Sequence, residues 1–214
     1  MEDEQHNHTE HDFSLTGGKL CLDFANTAEY RAPASKPEVD HFTRYDALVA
    51  WGQQAGVLEE GQARQLLALA EAQPQKAEQV LARAIVLREA IYRVFSDIAG
   101  GDAPDADDLG DINAALAPGL AQARLALEGE QVVWSWAEAP ALDRVLWPVA
   151  RSAADLLTCE ERERVRECAG DNCSWLFMDT SRNRSRQWCD MQSCGNRAKA
   201  KRHYHKHRAN SESL

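Results

Sequence analysis

The sequence lacks any apolar run that approaches the roughly 18 residues needed to span a bilayer, and a stretch such as VLWPVA at 145–150 is far too short. It also lacks the signature of a secretory signal, because its first residues, MEDEQHNHTEHD, are acidic and polar. We therefore expect a cytoplasmic protein that does not interact with membranes. Cysteines stay reduced in that compartment, so closely spaced cysteines indicate metal binding before disulfides.

The short motifs that identify many enzymes are missing as well. We find no nucleophile elbow, phosphate-binding loop or paired-carboxylate motif with supporting context. The segment HYHKH at 203–207 has histidines four residues apart but lacks the glutamate of a zinc-protease helix, which leaves a second metal site there only as an alternative. No strand carries the paired aromatics that stack RNA bases. The sequence therefore predicts a binding protein rather than an enzyme.

The charge of the chain is unevenly distributed. Hydrophobic residues make up 44% of the 214 residues, which suffices for a globular core, and the net charge is −10. Residues 180–208 nevertheless hold nine Lys or Arg and a single acid, Asp190, so this segment carries +8 and the rest of the chain −18. This uneven charge predicts an acidic body and a basic C-terminal segment that carries the binding function.

Apolar residues recur mostly at helical spacing between residues 43 and 157. The segment 15–27 is different, because Gly17 and Gly18 mark a turn and the alternation after them indicates a half-buried strand or an extended lead into a helix. Residues 123–136 alternate around a Glu-Gly-Glu turn and predict a β-hairpin. We expect helices over about 43–56, 59–73, 74–100, 105–117 and 141–157, the last with a kink or break at Pro148.

These patterns predict a fold that is mainly α with one β-hairpin, followed by a small C-terminal four-cysteine zinc finger and a basic helix. Residues 1–12 are expected to form a disordered N-terminal tail and residues 13–160 a helical domain. The finger and the basic helix would occupy residues 161–214. Thr158 and Glu161 have the spacing of a capping box, so we expect a helix to begin there, close to the boundary.

Four of the six cysteines form two close pairs. Each pair has four residues between its members, and fifteen residues separate the pairs. Two such knuckles are typical of a zinc site with four thiolate ligands, although spacing alone leaves two disulfides or four unliganded thiols as alternatives. Four thiolates close the coordination shell, so we expect one structural Zn²⁺ per chain. The predicted ligands are Cys168, Cys173, Cys189 and Cys194.

The finger has few apolar residues of its own, so metal binding would have to supply much of its folding energy. Those few residues are expected to pack over the metal: Trp175, Leu176, Phe177 and Trp188. The two remaining cysteines, Cys21 and Cys159, fall outside the pattern and are expected to be small buried residues.

The segment from Asn196 onward predicts a helix that is cationic almost all round. It has no apolar stripe, so it cannot be buried as core, and duplex DNA is the partner that its charge favours; a solvated charged tail is the alternative. Arg197 and Arg202 are candidates for base contacts, because arginine can grip guanine with two hydrogen bonds. The expected DNA-contacting residues are Arg182, Arg184, Arg186, Arg197, Lys199, Lys201, Arg202, Lys206 and Arg208.

Two groups of segments resemble known families. CGNR at 194–197, preceded by WCDMQS, together with FMDTSRNRSR at 177–186, resembles the CGNR zinc finger. GGKLCLDFANT at 17–27 and YDALVAWGQQAGVL at 45–58 resemble the opening of the ABATE domain, which precedes that finger in bacterial transcription regulators. The resemblance implies zinc bound by the four paired cysteines and a DNA contact by the helix that follows them.

The helical domain is expected to act as a sensor or a dimerisation unit, so a homodimer and a small-molecule ligand both stay open. Asp23 and Asn26 could hydrogen-bond such a ligand, or they could cap the following helix or satisfy buried backbone groups. The leading hypothesis is a zinc-dependent DNA-binding transcription regulator that acts on double-stranded DNA. The alternative is a protein–protein adaptor whose basic zinc module docks on an acidic surface, such as the body of a dimer mate.

Overall fold

The computed structural model describes the backbone of residues 12–29, 31, 39–138 and 140–211, with side chains up to residue 204. Over these residues the fold is mainly α, as the sequence predicted, with three short antiparallel strand pairs, of which the hairpin at 123–136 was expected. The helices are α1 (Leu20–Ala25), α2 (Tyr45–Gln54), α3 (Glu60–Ala72), α4 (Pro74–Gly100), α5 (Ala106–Gln122), α6 (Leu146–Thr158) and α7 (Asn196–Ser211). The strands are β1 (Ala28–Glu29), β2 (Val39–Asp40), β3 (Ala123–Glu128), β4 (Gln131–Trp136), β5 (Val165–Glu167) and β6 (Leu176–Met178). The tail expected at 1–12 lies outside the described residues except for Asp12.

The ends of the long helices follow from local chemistry. α3 begins with a capping box in which Glu59 and Gln62 exchange side-chain to backbone hydrogen bonds. α4 has Pro74 in its first turn, where no N–H is needed, and it is capped at its C-terminus by Gly101, whose φ of 90° lies in the left-handed region. None of the helices in the described part of the chain combines the length and apolarity needed to cross a bilayer.

Two expectations about helices in the body are corrected. The segment expected to be a strand or an extended lead is the short helix α1, and four of its six residues are buried because α4 and α6 cover it on two sides. α5 extends to Gln122, past its expected end at 117, although Pro118 lies inside it. Packing of α5 against α4 and α6 outweighs the loss of one hydrogen bond at Pro118.

The boundaries of α6 also differ from expectation. α6 begins at Leu146 rather than near 141, so Pro148 falls in its first turn, where a missing N–H costs no hydrogen bond. The expected kink at Pro148 is therefore wrong. The capping box at Thr158 is wrong too, because Thr158 ends α6 and its hydroxyl donates to the Ala154 carbonyl at 2.8 Å. A 3₁₀ turn at Glu160–Arg164 follows, and then β5.

α4 lies at the centre of the helical body. It packs against α1, α2 and α5 and also against β5 and β6. Trp51 of α2 is fully buried, with the ring of Phe24 edge-on at 4.9 Å. The buried guanidinium of Arg88 donates to both oxygens of Asp40, at 2.6 and 2.8 Å, and so ties β2 to α4. The apolar face of α4 is buried at Val80, Ala84, Leu87, Ile91, Val94 and Phe95.

The hairpin formed by β5 and β6 has two buried faces. Val165 pairs with Met178, and Glu167 pairs with Leu176. Val165, Leu176 and Met178 share one face and belong to the hydrophobic core of the helical body. Phe177 projects to the opposite face and belongs to a second cluster, which contains the paired cysteines. Leu176 therefore lies in the body's core and not over the cysteines as expected, while Trp175, Phe177 and Trp188 do pack there.

Candidate metal centre and its basic surroundings

The four paired cysteines come together in the C-terminal part of the chain. All four Sγ atoms lie within 4.8 Å of one another, and the Cys173–Cys189 and Cys189–Cys194 sulfur distances are both 3.7 Å. Disulfides are excluded at these distances, and all six cysteines are free. A tetrahedral ion with metal–sulfur bonds of about 2.3 Å has sulfur–sulfur edges of about 3.8 Å. The donor set and its spacing therefore fit one Zn²⁺.

Four thiols at this spacing cannot all ionise unaided. Hydrogen bonds from Cys173 and Cys189 lower the pKa of Cys168, whereas donation to Cys168 raises the pKa of Cys173 and of Cys189. Zn²⁺ would supply the positive charge that lets four thiolates lie together. The chain already directs donors at the sulfurs: the Cys189 N–H lies 3.4 Å from Cys168 Sγ, and Arg197 donates to Cys194 Sγ at 3.0 Å.

Gly170 lies against the sulfur cluster. A Cβ at this position would be 3.2 Å from Cys173 Cβ and 3.3 Å from Cys194 Sγ. The missing side chain lets the loop between Cys168 and Cys173 close onto the second cysteine pair. Gly170 was not among the predicted site residues, although a glycine between two paired cysteines is a recognisable signal of a tight knuckle.

The turn that carries Cys194 into α7 is held by polar side chains. This π-helical turn spans Met191–Gly195, and Asp190 caps it by accepting the N–H groups of Gln192 at 3.1 Å and Ser193 at 2.8 Å. The hydrogen bond from Gln192 is the main reason that the pKa of Asp190 is lowered. Asn196 donates to the Gln192 carbonyl at 3.0 Å. The sole acid of the basic segment is therefore part of the scaffold of the metal centre.

Asp179 organises the arginine-rich loop at 180–188. It is fully buried, and its Oδ1 accepts the Ser181 N–H at 2.9 Å and the Ser181 hydroxyl at 2.6 Å. Its Oδ2 accepts the N–H of Arg186 at 3.0 Å. Burial opposes ionisation, but these hydrogen bonds outweigh it and lower the pKa of Asp179, which keeps the carboxylate charged. Asp179 was not among the predicted site residues, and its only signal in the sequence is its position just before a run of arginines.

The three arginines of this loop have different surroundings. Arg182 and Arg184 are exposed, and the guanidinium of Arg184 lies 3.7 Å from Glu163. Arg186 stacks over the ring of Phe177 at 4.7 Å and donates to the carbonyls of Trp188, at 2.8 Å, and Cys189. Its donors are thus engaged within the finger, so Arg186 holds the finger together and is poorly placed to grip phosphate.

α7 follows the π-helical turn without a break, so the metal centre fixes the position of its first residues. Arg197, Lys199, Lys201 and Arg202 are all exposed, and Arg197 also contacts the sulfur cluster. Lys201 pairs with Asp171 of the first knuckle at 2.6 Å, and Arg202 lies 5.9 Å from the ring of Trp188. The side chains of Lys206 and Arg208 lie outside the described residues.

The two candidate ligand residues of the helical domain both contact backbone. Asp23 Oδ1 accepts the Gly17 N–H at 2.7 Å, and burial raises the pKa of Asp23 to about 6. Asn26 is buried, and its amide is hydrogen-bonded to the backbone of β6. This geometry agrees with the alternative interpretation, in which both residues satisfy buried backbone groups. Cys21 is fully buried as expected, but Cys159 is only half-buried.

Comparison with known families gives two matches, which adjoin along the chain. Residues 18–160 match the ABATE family, described as "Putative stress-induced transcription regulator". Residues 164–207 match the CGNR zinc finger, which contains all four clustered cysteines. A comparison with curated proteins finds no match.

Proposed function

The chain belongs to the ABATE family and carries a CGNR zinc finger, and from this premise we propose that it is a zinc-dependent DNA-binding transcription regulator. In this proposal the ion has a structural role, holding two basic segments in fixed positions against duplex DNA. The helical domain would regulate DNA binding or dimerise the chain, and it would have no catalytic role.

The observation that carries the proposal is the presence of exposed cations on segments that the sulfur cluster joins. Arg182 and Arg184 belong to the loop before the second cysteine pair, and Lys199 and Arg202 to the helix after it. Charges at fixed positions can meet successive phosphates without the entropy cost of ordering a free tail. A merely solvated tail would not need this attachment to a metal centre.

We assign separate tasks to the cations within this proposal. Arg182, Arg184, Lys199 and Lys201 would contact phosphates, with Lys201 exchanging Asp171 for DNA. Arg202 is the candidate for a base contact, because Arg197 is tied to Cys194 Sγ. Lys206 and Arg208 would extend the same helix along the groove. Residues 13–160 would form the sensor or dimerisation domain, and residues 161–214 the DNA-binding domain.

A charge-reversal experiment tests the proposal. The Lys199→Glu/Arg202→Glu variant should lose at least tenfold in affinity for a mixed-sequence duplex, measured by fluorescence anisotropy of the zinc-loaded chain. The matched control is Arg44→Glu/Arg64→Glu, which reverses two exposed cations of the helical body, with side chains 78% and 73% exposed. One zinc per chain in every variant verifies that the finger is folded.

Unchanged DNA affinity in the first variant would contradict this docking surface. Equal losses of affinity in both variants would mean that DNA binding depends on the net charge of the chain and not on the cations of the finger. No DNA binding by any form would favour the adaptor hypothesis, in which the basic module docks on an acidic protein surface.

A further inference from the structure

A half-enclosed cavity lies where α4, α5 and the start of α6 meet. Its volume is about 220 Å³, which suits a small metabolite rather than a drug-sized ligand. Its walls include Leu87 and Leu146, which are both buried in the core of the helical body. The cavity is therefore a recess in the body that is separate from the metal centre.

Trp147 of α6 brings an unsatisfied donor to this cavity. Trp147 is one of the lining residues and is 4% exposed, and its indole N–H has no hydrogen-bond partner among the described residues. Its Cδ1 atom, which is bonded to that nitrogen, lies 3.5 Å from the position that a Cβ of Gly119 would occupy. The N–H edge of the indole therefore faces α5, which forms one wall of the cavity. A buried donor without an acceptor is costly, so an oxygen of a ligand here would be stabilising.

α5 presents two acceptors to the same cavity. Asp111 is half-buried and makes no hydrogen bond or ion pair within the described part of the chain. Three residues later, the carbonyl of Ala114 lacks its usual helical donor, because Pro118 has no N–H. Residues three apart on a helix lie on one face, so the carboxylate and the carbonyl can contact one group of a ligand.

The charge of the lining selects a cation. The lining has one cation, Arg83, and two acids, Asp111 and Asp143, so its net charge is −1. Arg83 and Asp143 pair at 3.5 Å and offset each other. Asp111 also interacts electrostatically with Arg93, but that guanidinium is already bound to both oxygens of Asp108, at 2.8 and 3.0 Å. The carboxylate of Asp111 is thus the uncompensated charge, and a positively charged ligand is its complement.

We propose that this cavity binds a small aromatic amine that also carries a hydroxyl group. The ammonium group would donate to the Asp111 carboxylate and to the Ala114 carbonyl. The hydroxyl oxygen would accept the indole N–H of Trp147, and the aromatic ring would pack against Leu87 and Leu146. The site belongs to the helical domain alone, so the inference does not depend on DNA binding by the finger.

The test is calorimetric titration of the zinc-loaded chain, without DNA, with three probes of similar shape. Tyramine has both polar groups, phenethylamine lacks the hydroxyl, and 4-ethylphenol lacks the amine. We expect tyramine to bind with a dissociation constant of about 0.1–1 mM, which is typical of so small a ligand. Each of the other two probes should bind about fivefold more weakly, or less tightly still, because one hydrogen-bonding group is missing.

Two variants assign the polar contacts to residues. Asp111→Asn should remove most of the advantage of tyramine over 4-ethylphenol, because the ammonium group loses its charged partner. Trp147→Phe should remove the advantage of tyramine over phenethylamine, because the donor to the hydroxyl is gone. The matched control is Asp107→Asn, at an exposed position of α5 outside the cavity, which should bind tyramine like the wild type.

A third variant tests the cavity itself. Ala115→Leu places a larger apolar side chain on the α5 wall and should abolish tyramine binding. Its control is Ala117→Leu, at an exposed position of the same helix that does not line the cavity. Unchanged circular dichroism verifies that each variant is folded, and if Trp147→Phe fails to fold, Asp111→Asn and Ala115→Leu still decide the outcome.

No binding of tyramine up to about 10 mM, well above the expected dissociation constant, would overturn the proposal. Equal affinity for the three probes would overturn it too, because the polar groups would then contribute nothing. Unchanged affinity of Ala115→Leu, or equal losses in Asp107→Asn and Asp111→Asn, would contradict this site. Each of these results leaves the proposed DNA binding standing, because that function is measured separately with DNA.

Discussion

Asn26 and Leu176 are 150 residues apart in sequence and joined by two hydrogen bonds. Asn26 Nδ2 donates to the Leu176 carbonyl at 2.9 Å, and the Leu176 N–H donates to Asn26 Oδ1 at 2.9 Å. Both residues are buried. The side chain thus substitutes for a neighbouring strand and connects the helical body to the strand that precedes the arginine-rich loop.

Loss of this connection should destabilise the whole chain. Asn26→Ala leaves the buried N–H and carbonyl of Leu176 without these partners, and we expect a loss of about 2–4 kcal/mol in the free energy of unfolding. Urea unfolding followed by circular dichroism measures it. Asn113→Ala, at an exposed position of α5, is the control and should change stability by less than about 0.5 kcal/mol. A similar small effect of Asn26→Ala would contradict the structural role.

Removal of the metal should affect the helical body as well as the finger. Val165, Leu176 and Met178 lie in the body's core, so loosening of the β5–β6 hairpin exposes that core. We expect chelation to retain most helical circular dichroism at 25 °C but to lower the melting temperature by several degrees. Differential scanning calorimetry with and without a chelator measures this, and re-addition of Zn²⁺ should restore it. An unchanged transition of the body would mean that finger and body are energetically independent.

Gly170→Ala should weaken metal binding. The added Cβ would meet Cys173 Cβ at 3.2 Å and Cys194 Sγ at 3.3 Å, so the knuckle must open by a few tenths of an ångström. We expect zinc affinity to fall about tenfold or more, as is typical when the shell around a metal's ligands is disturbed. Competition with a chromophoric chelator measures it. Gly61→Ala, where a Cβ meets nothing within 4 Å on α3, should leave zinc affinity unchanged.

Asp23→Asn should stabilise the protein at alkaline pH. Burial raises the pKa of Asp23 from 3.8 to about 6. The unfolded chain therefore ionises first as pH rises, so this group lowers stability between about pH 4 and 6 and keeps it low above pH 6. Asparagine can still accept the Gly17 N–H. We expect a gain of about 1–2 kcal/mol at pH 8, after allowance for partial exposure, that shrinks towards pH 4.

Urea unfolding of both proteins at several pH values measures the gain. A gain that does not depend on pH would contradict the assignment to a raised pKa. A loss at every pH would indicate that the Gly17 hydrogen bond requires a carboxylate.

The sequence predicted the features that depend on local patterns. The two cysteine pairs, the β3–β4 alternation and the proline at the start of α4 each occupy a few adjacent residues, and the structure has all of them. That Asn26 satisfies buried backbone groups was one of two interpretations, but its partner could not be predicted, because Leu176 is distant in sequence and uses only backbone atoms. The prediction that Leu176 packs over the metal was wrong because successive residues of a strand face opposite sides. The sequence did not show that one side of this strand faces the core of the helical body.

The structure at the boundary between body and finger could not be predicted from local sequence either. Thr158 and Glu161 match a capping box in sequence, yet Thr158 is the last residue of α6. The Thr158 hydroxyl therefore donates to the Ala154 carbonyl within that helix and does not cap a new one. A helix that begins at Leu146 and a strand that pairs with Leu176–Met178 decide the structure of the residues between them. Tertiary contacts of this kind override local capping preference.

The salt dependence of DNA binding tests most directly whether the finger and its basic helix form a nucleic-acid surface. Anisotropy of the zinc-loaded wild-type chain on mixed-sequence duplex DNA should show log affinity falling linearly with log salt, by about 0.9 for each phosphate contacted. Four phosphate contacts, or six with Lys206 and Arg208, give a slope of roughly −3.6 to −5.4. No binding at low salt, or binding that salt does not weaken, would contradict the account.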